Sequence, residues 1–257
     1  MSSPKKMLGL VGNPLSHSFS KNYFTDKFTT LNISEQWQYK NFELKNLIEI
    51  TDVIARHDNL VGFNVTIPYK EKIIDFLDEL DELAQETKAV NTVKITRNKN
   101  GEVIKLKGYN TDVTGFKNSI KPFLEPQHQK ALILGTGGAS KAVQSVLKSF
   151  NIPFWLVTQK EISTENQLNY NQLTKEIISA CALLINTTPV GMFPNIDEFP
   201  PIPYEGITNQ HLVIDLIYNP EKTEFLKKAE QNGAQLLNGY SMLQQQAEAA
   251  WQIWNGK

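Results

Sequence analysis

The hydrophobic positions of this chain follow two styles that change near residue 130. Before it, short apolar runs alternate with polar loops: residues 7–12, 37–44 and 61–67 each predict a strand, and 47–56 a helix. Ile73, Ile74, Leu77, Leu80, Leu83 and Ala84 recur at three and four, which predicts one amphipathic helix with an acidic outer face. Residues 91–96 and 103–109 flank the polar Arg97-Asn-Lys-Asn-Gly101, a β-hairpin pattern, and 113–120 predicts the helix after it. Pro122, Pro126 and the glutamines at 127 and 129 read as a linker. After it, strands at 130–135, 154–157, 182–189, 212–218 and 235–237 alternate with helical segments. One carries Ala142, Val143, Val146, Leu147 and Phe150 on one face, one is opened by Asn219-Pro220 and closed by Gly233, and one spans 241–254. Such alternation predicts βαβ units and a parallel sheet.

Composition narrows the picture. With 257 residues, 40% apolar and 21% charged, the chain is globular and holds one large or two ordinary domains. A net charge of -1 with no basic stripe argues against nucleic acid or an anionic membrane, so a small molecule is the expected partner. The run at 7–12 is too short for a signal peptide, and no stretch approaches the roughly 18 to 20 apolar residues of a membrane span. The single cysteine, Cys181, permits no intrachain disulfide and fits a reducing cytoplasm. Four histidines lie at no ligand spacing, so no metal is expected.

The candidate chemistry starts at Asn64-Val-Thr-Ile-Pro-Tyr-Lys70. Asn64 and Thr66 share one face of a strand that Pro68 ends, and the turn carries Lys70 to the mouth of that face. Taken alone, the segment reads first as an edge strand with a polar outer face followed by a solvated lysine. Ser16 and Ser18 read as helix caps or as hydroxyl donors in a loop, and Asp112 as the N-cap of helix 113–120 or as a carboxylate beside a site. Gly135-Thr-Gly-Gly-Ala-Ser140 sits between a strand and a helix, where backbone N–H groups and a helix dipole meet a pyrophosphate; Ser140 replaces the third glycine of G-x-G-x-x-G. Thr158-Gln-Lys160 ends the next strand with a cation where an acidic residue would serve NAD, and so leans towards a 2′-phosphate.

In combination these stretches resemble shikimate dehydrogenase. Gly12-Asn-Pro-Leu-Ser-His-Ser18, Asn64 to Lys70, Ala89-Val-Asn91-Thr, Gly108-Tyr-Asn-Thr-Asp112, the Gly135 turn, Asn186-Thr-Thr-Pro-Val-Gly-Met192, Asp215 with Tyr218-Asn-Pro220, and Gly239-x-x-Met-Leu-x-x-Gln246 occur in that family's order. The resemblance implies two α/β domains. The first, residues 1–112 completed by 239–257, would bind substrate and carry the catalysis; the second, 113–238, would be a Rossmann-like NADP-binding domain, with the C-terminal helix returning to the first. It implies reversible reduction of 3-dehydroshikimate to shikimate with NADPH, in chorismate and aromatic amino acid biosynthesis, by a cytoplasmic monomer or homodimer.

Lys70 and Asp112 would form the catalytic pair. Ser16, Ser18, Asn64, Thr66, Asn91, Asp112, Tyr218 and Gln246 would bind shikimate. Gly135, Thr136, Gly137, Gly138, Ala139, Thr158, Lys160 and Gly239 would hold NADP. Three departures from the family pattern stand out: Thr158-Gln-Lys160 replaces Asn-Arg-Thr, Lys88 replaces a glycine before Ala-Val-Asn, and the stretch between Lys160 and Ser179 is polar and short.

Overall fold

Continuous burial along the first strand, from Met7 to Gly12, marks a sheet covered on both faces. A computed structural model of the chain describes residues 4–15 and 19–256. It divides into two compact units, Met1–Thr111 with Ala247–Lys257, and Asp112–Gln246. In unit 1, β1 (Lys6–Gly12) is followed by α1 (Phe19–Thr30), β2 (Trp37–Glu43), α2 (Ile50–Arg56), β3 (Leu60–Val65), β4 (Glu79–Leu80), α3 (Glu82–Thr87), β5 (Thr92–Arg97) and β6 (Val103–Tyr109). They make a six-stranded mixed sheet in the order β2-β1-β3-β5-β6-β4. Met7 and Val11 join Ile50, Ile54 and Phe63 in one core, while Leu8 and Leu10 face Phe24, Phe28 and Tyr39 in another. Each such buried side chain contributes about 1.5–3 kcal/mol.

The second of those cores is closed by the end of the chain. Ala250, Trp251 and Trp254 pack there, and Trp254 Nε1 donates to the Val93 carbonyl at 2.9 Å. Gly62 makes this approach possible, because a Cβ there would lie on the Trp254 ring.

The amphipathic helix expected from Ile73 to Ala84 does not form. Instead a 3₁₀ segment, Lys72–Phe76, gives way to β4, which pairs in parallel with β6, and then to α3. Two aspartates decide this. Asp78 accepts the Leu106 N–H, which draws the chain out to the sheet edge, and Asp81 caps a fresh helix by accepting the Ala84 N–H at 2.8 Å.

Unit 2 holds α4 (Thr111–Ile120) from its second residue, β7 (Ala131–Leu134), α5 (Gly138–Ser149), β8 (Phe154–Thr158), β9 (Gln167–Asn169), α6 (Lys175–Ala180), β10 (Leu183–Asn186), β11 (Leu212–Asp215), α7 (Glu224–Gln231), β12 (Gln235–Asn238) and the first part of α8 (Tyr240–Asn255). Its six strands are all parallel, in the order β12-β11-β10-β7-β8-β9. This is the doubly wound Rossmann-like arrangement, with its switch of direction between β7 and β10. β9 is a strand that its polar sequence does not announce. The helix expected to open at Asn219-Pro220 starts later, at Glu224, because Thr223 is its N-cap and accepts the Leu226 N–H. The unit boundaries fall inside α4 and α8 rather than in the proline-rich stretch after residue 121. No helix among the described residues is long and apolar enough to cross a membrane.

Candidate functional site

In unit 1 the strand β3 hands over at Val65 to a tight turn. Thr66 N–H donates to the Val11 carbonyl, and Tyr69 N–H closes the turn on the Thr66 carbonyl, both at 2.9 Å. The Ile67–Pro68 peptide within it is cis. Because β3 ends at Val65, Pro68 lies past the ladder, where its missing N–H breaks no strand bond. Tyr69 is buried and its hydroxyl donates to the Leu44 carbonyl at 2.6 Å, which anchors the turn from below. Lys70 follows, half-buried, with its carbonyl accepting the Val90 N–H at 2.8 Å. That bond sets Lys70 beside the Val90-Asn91 backbone. Thr66 is half-buried, and its methyl fills the space that a Cβ on Gly12 would need. Ser16 and Ser18, further along that loop, lie outside the described residues.

Asn64 is buried and committed to its own chain. Its Nδ2 donates to the Asn91 carbonyl at 3.1 Å and to Thr92 Oγ1 at 3.0 Å, while Oδ1 accepts the Tyr39 hydroxyl at 2.8 Å. The side chain braces β3 against β5, so both amide hydrogens serve the scaffold. Asn91 is also buried, and its Oδ1 accepts from the Thr111 N–H at 2.8 Å and the Thr111 hydroxyl at 3.1 Å. The start of α4 is thereby fixed to β5. Because the helix begins at Thr111, Asp112 stands within its first turn and is not the N-cap. The positive end of the helix is complementary to a carboxylate there. Lys88 closes α3 in the left-handed region, at φ 50° and ψ 41°, which is the place where glycine has the lower cost.

Lys70, Thr66, Asn64 and Asn91 thus gather at one end of the first sheet. Among the described residues, Asp112, Tyr218, Gln246 and the residues expected to hold the cofactor belong to unit 2. β7 leads into Gly135, whose φ of +105° and close approach to the Thr187 and Thr188 side chains exclude any larger residue. Gly137 is the N-cap of α5 without a side-chain cap, and a Cβ on Gly137 or Gly138 would meet nothing. The amino end of a twelve-residue helix is therefore open to an anion. Ser140, in the third glycine position, is buried and donates to the Gly137 carbonyl at 2.7 Å, so its hydroxyl holds the turn.

Gly135 N–H donates to the Val157 carbonyl at 2.8 Å, and this bond brings the glycine turn against the end of β8. There Thr158 is buried and accepts the Lys160 N–H at 3.0 Å, while Lys160 itself is exposed. Across the sheet, Gly239 donates its N–H to the Ile217 carbonyl at 3.1 Å, next to the half-buried Tyr218. Burial pushes the Tyr218 phenol up from its ordinary value, so it stays protonated at neutral pH. Gln246 is buried, with Nε2 donating to the Leu243 carbonyl, and its Cβ packs so close to α4 that only glycine fits at Gly115.

Asp215 holds the carboxyl end of the second sheet. Its carboxylate, wholly buried, accepts from Asn186 Nδ2 at 3.0 Å, the Ile217 N–H at 3.1 Å and the Thr223 hydroxyl at 2.6 Å. Asn186 Oδ1 in turn accepts from the N–H and hydroxyl of Thr188, so one carboxylate organises the loops after β10 and β11. Burial pushes the Asp215 carboxyl up to about 6, against these three hydrogen bonds, which pull it down.

A carboxyl raised on folding binds its proton more tightly in the native state. The stability it contributes is full below the unfolded value near 3.8 and is lost as pH rises through about 6. Between pH 4 and 7 this amounts to on the order of 3 kcal/mol. Urea titrations should show the stability of wild type minus that of Asp215→Asn falling across this window. A flat difference would refute the assignment.

Among the described residues no group of three or more His, Cys, Asp or Glu is placed to hold a metal. Thr92, Thr111 and Thr187 stand inside the motifs above without a role of their own, and Tyr39 in none of them, since nothing local distinguishes a buried threonine or tyrosine that braces a site from an ordinary strand residue.

Comparison with known proteins finds relatives along nearly the whole chain. Residues 10–93 match the model of the shikimate dehydrogenase substrate binding domain. A relative from Methanococcus maripaludis strain C6, named shikimate dehydrogenase (NADP(+)), is 39% identical over 268 residues, covering 99% of this chain and 93% of its own. The structure of shikimate 5-dehydrogenase from Listeria monocytogenes, in complex with shikimate and NAD, superposes with a TM-score of 0.84 at 28% identity, over 98% of this chain and 92% of that one. The ligand-free 5-ketofructose reductase of Gluconobacter sp. strain CHM43 superposes with a TM-score of 0.82 at 27% identity, over 100% and 95%. With 36% and 39% identity to shikimate dehydrogenases over 97% and 99% of its length, the chain belongs to the shikimate dehydrogenase family.

Proposed function

We propose that this chain catalyses the reversible reduction of 3-dehydroshikimate to shikimate with NADPH, as a step of chorismate and aromatic amino acid biosynthesis. The observation that carries this reading is the gathering in unit 1 of Lys70, Thr66 and Asn91, with Thr111 bonded to Asn91 and Asp112 next along the helix. A polyol acid is best met by short hydroxyl and amide groups that donate and accept, and by an ammonium next to the reacting oxygen. Ser16 and Ser18 would take the carboxylate; Asn91, Thr66, Tyr218 and Gln246 would take hydroxyls, with Asn64 shaping the face from behind.

The residues of unit 2 fit a dinucleotide. Gly137 and Gly138 leave open space over the amino end of α5, where Thr136 to Ala139 offer backbone N–H groups to a pyrophosphate. Thr158, Lys160 and Gly239 would complete the cradle. When bound, NADPH supplies the hydride. As negative charge builds on the C3 oxygen, the Lys70 ammonium lies ready to give it a proton, and the amine takes that proton back in the oxidative direction. The Asp112 carboxylate, in the first turn of α4, would serve as an orienting and hydrogen-bonding group.

Recombinant protein given 3-dehydroshikimate should oxidise NADPH, with shikimate as the product. No oxidation of either nicotinamide would overturn the reading and favour a family member that has kept the fold without the chemistry. The missing arginine at 158–160 supports a second reading, in which NADH serves as well and quinate is also accepted; assays with both acids and both cofactors separate the two. Lys160 is exposed and can act on a 2′-phosphate only as a screened point charge. Lys160→Ala should therefore raise KM for NADP+ about fivefold and leave KM for NAD+ within twofold. Equal effects on both would remove Lys160 from phosphate recognition.

A further inference from the structure

Behind Asn91 lies a chain of buried hydrogen bonds whose direction is set by two backbone groups. The Thr111 N–H can only donate, so the Asn91 side chain must turn its Oδ1 towards it, at 2.8 Å. The Asn91 carbonyl can only accept, so Asn64 must turn its Nδ2 towards that, at 3.1 Å. Thr92 joins the two amides. Its hydroxyl, wholly buried, accepts from Asn64 Nδ2 at 3.0 Å, donates to Asn91 Oδ1 at 3.2 Å and lies 3.3 Å from the Thr111 hydroxyl. The far end of the chain is held by Tyr39, whose phenol donates to Asn64 Oδ1; burial keeps that phenol protonated well beyond neutral pH.

The Asn91 oxygen therefore receives three donors from its own protein, and the amide is oriented so that its NH2 group is turned away from Thr111. A flipped amide would set NH2 against the Thr111 N–H and leave two buried donors facing each other, which is strongly disfavoured. We propose that Thr92 is a positioning residue for substrate: by bridging Asn64 and Asn91 it holds the Asn91 amide as a donor, so that the group Asn91 meets on the substrate must be an acceptor oxygen. The inference rests on the reading of Asn91 as a substrate ligand. It assigns to a threonine that touches no substrate a share of the recognition of the sugar-like acid.

Thr92→Val keeps the shape and removes the hydroxyl. It should raise KM for shikimate about tenfold, with kcat within threefold and KM for NADP+ within twofold of wild type. Thr92→Ser, which restores the hydroxyl, should return shikimate KM to within threefold. In an Asn91→Ala background Thr92→Val should change shikimate KM less than twofold, because its effect passes through Asn91. If Thr92→Val does not fold, Tyr39→Phe tests the same chain from its other end and should raise shikimate KM about threefold.

A wild-type KM in Thr92→Val, or in Tyr39→Phe where it stands in, overturns the proposal. So does the same tenfold rise in the absence of the Asn91 amide, which would mark Thr92 as a packing residue. Asn91→Ala with unchanged shikimate KM overturns the ligand role of Asn91 and the proposal with it. An impaired Asn91→Ala enzyme beside an unimpaired Thr92→Val enzyme overturns the proposal alone.

Discussion

Lys70→Ala is expected to lower kcat by two to three orders of magnitude while KM for shikimate changes less than fivefold. The loss corresponds to about 3–4 kcal/mol of transition-state stabilisation. It falls on kcat because a proton is needed at the C3 oxygen only as charge develops there. Removing the side chain should leave the turn in place, since the Tyr69 hydroxyl and the Lys70 carbonyl are both bonded to other segments. Lys70→Arg should not restore turnover, because a guanidinium keeps its proton under all working conditions. Steady-state kinetics in both directions, with circular dichroism to confirm folding, decide the matter. A large rise in KM with turnover intact would make Lys70 a binding residue only.

Gly239→Ala should destabilise unit 2 by about 3–5 kcal/mol. A Cβ at Gly239 would fall on the Leu216 carbonyl oxygen, with the carbonyl carbon 2.6 Å and the Cα 3.2 Å away. All three neighbours are backbone at the end of β11, and that backbone is held by Asp215 through the Ile217 N–H. It cannot move aside as a flexible side chain would. Gly239 also starts α8, where its carbonyl accepts the Leu243 N–H at 3.0 Å, so a displaced turn would disturb the helix that carries Gln246. Calorimetry should find a lowered transition for unit 2, reported by Trp155, the one tryptophan between residues 112 and 246. Wild-type stability in Gly239→Ala would show that the turn relaxes freely.

Much of the plan is legible in the order of apolar and polar residues. Strands with strong apolar runs, such as those containing Leu8 and Leu10 or Leu184 and Ile185, sit where their pattern puts them, and the glycine turn at 135–138 lies between strand and helix as its composition requires. The helix expected across Ile73 to Ala84 fails because hydrophobic spacing by itself does not register Asp78 and Asp81, whose side chains bond backbone N–H groups and break the helix in two. Asn64 is legible as a polar residue on the right face. That its amide is taken up by Tyr39, Asn91 and Thr92 depends on residues 25 to 28 positions away.

By itself the sequence determined the residue types and their order: an amide, a hydroxyl and an amine at Asn64, Thr66 and Lys70, a glycine turn before a long helix, a carboxylate after Asn-Thr, and a glutamine in the last helix. These are local, and strand period, proline and glycine suffice to place them on strands and turns. Only the tertiary structure decided which way the polar groups point. The orientation of the Asn91 amide is set by an N–H from Thr111, twenty residues on, with the Thr92 hydroxyl beside it, and the raised carboxyl of Asp215 by its burial at the carboxyl end of a parallel strand. Hydrogen-bond polarity and desolvation depend on what is packed alongside, and neighbours in space are not neighbours along the chain.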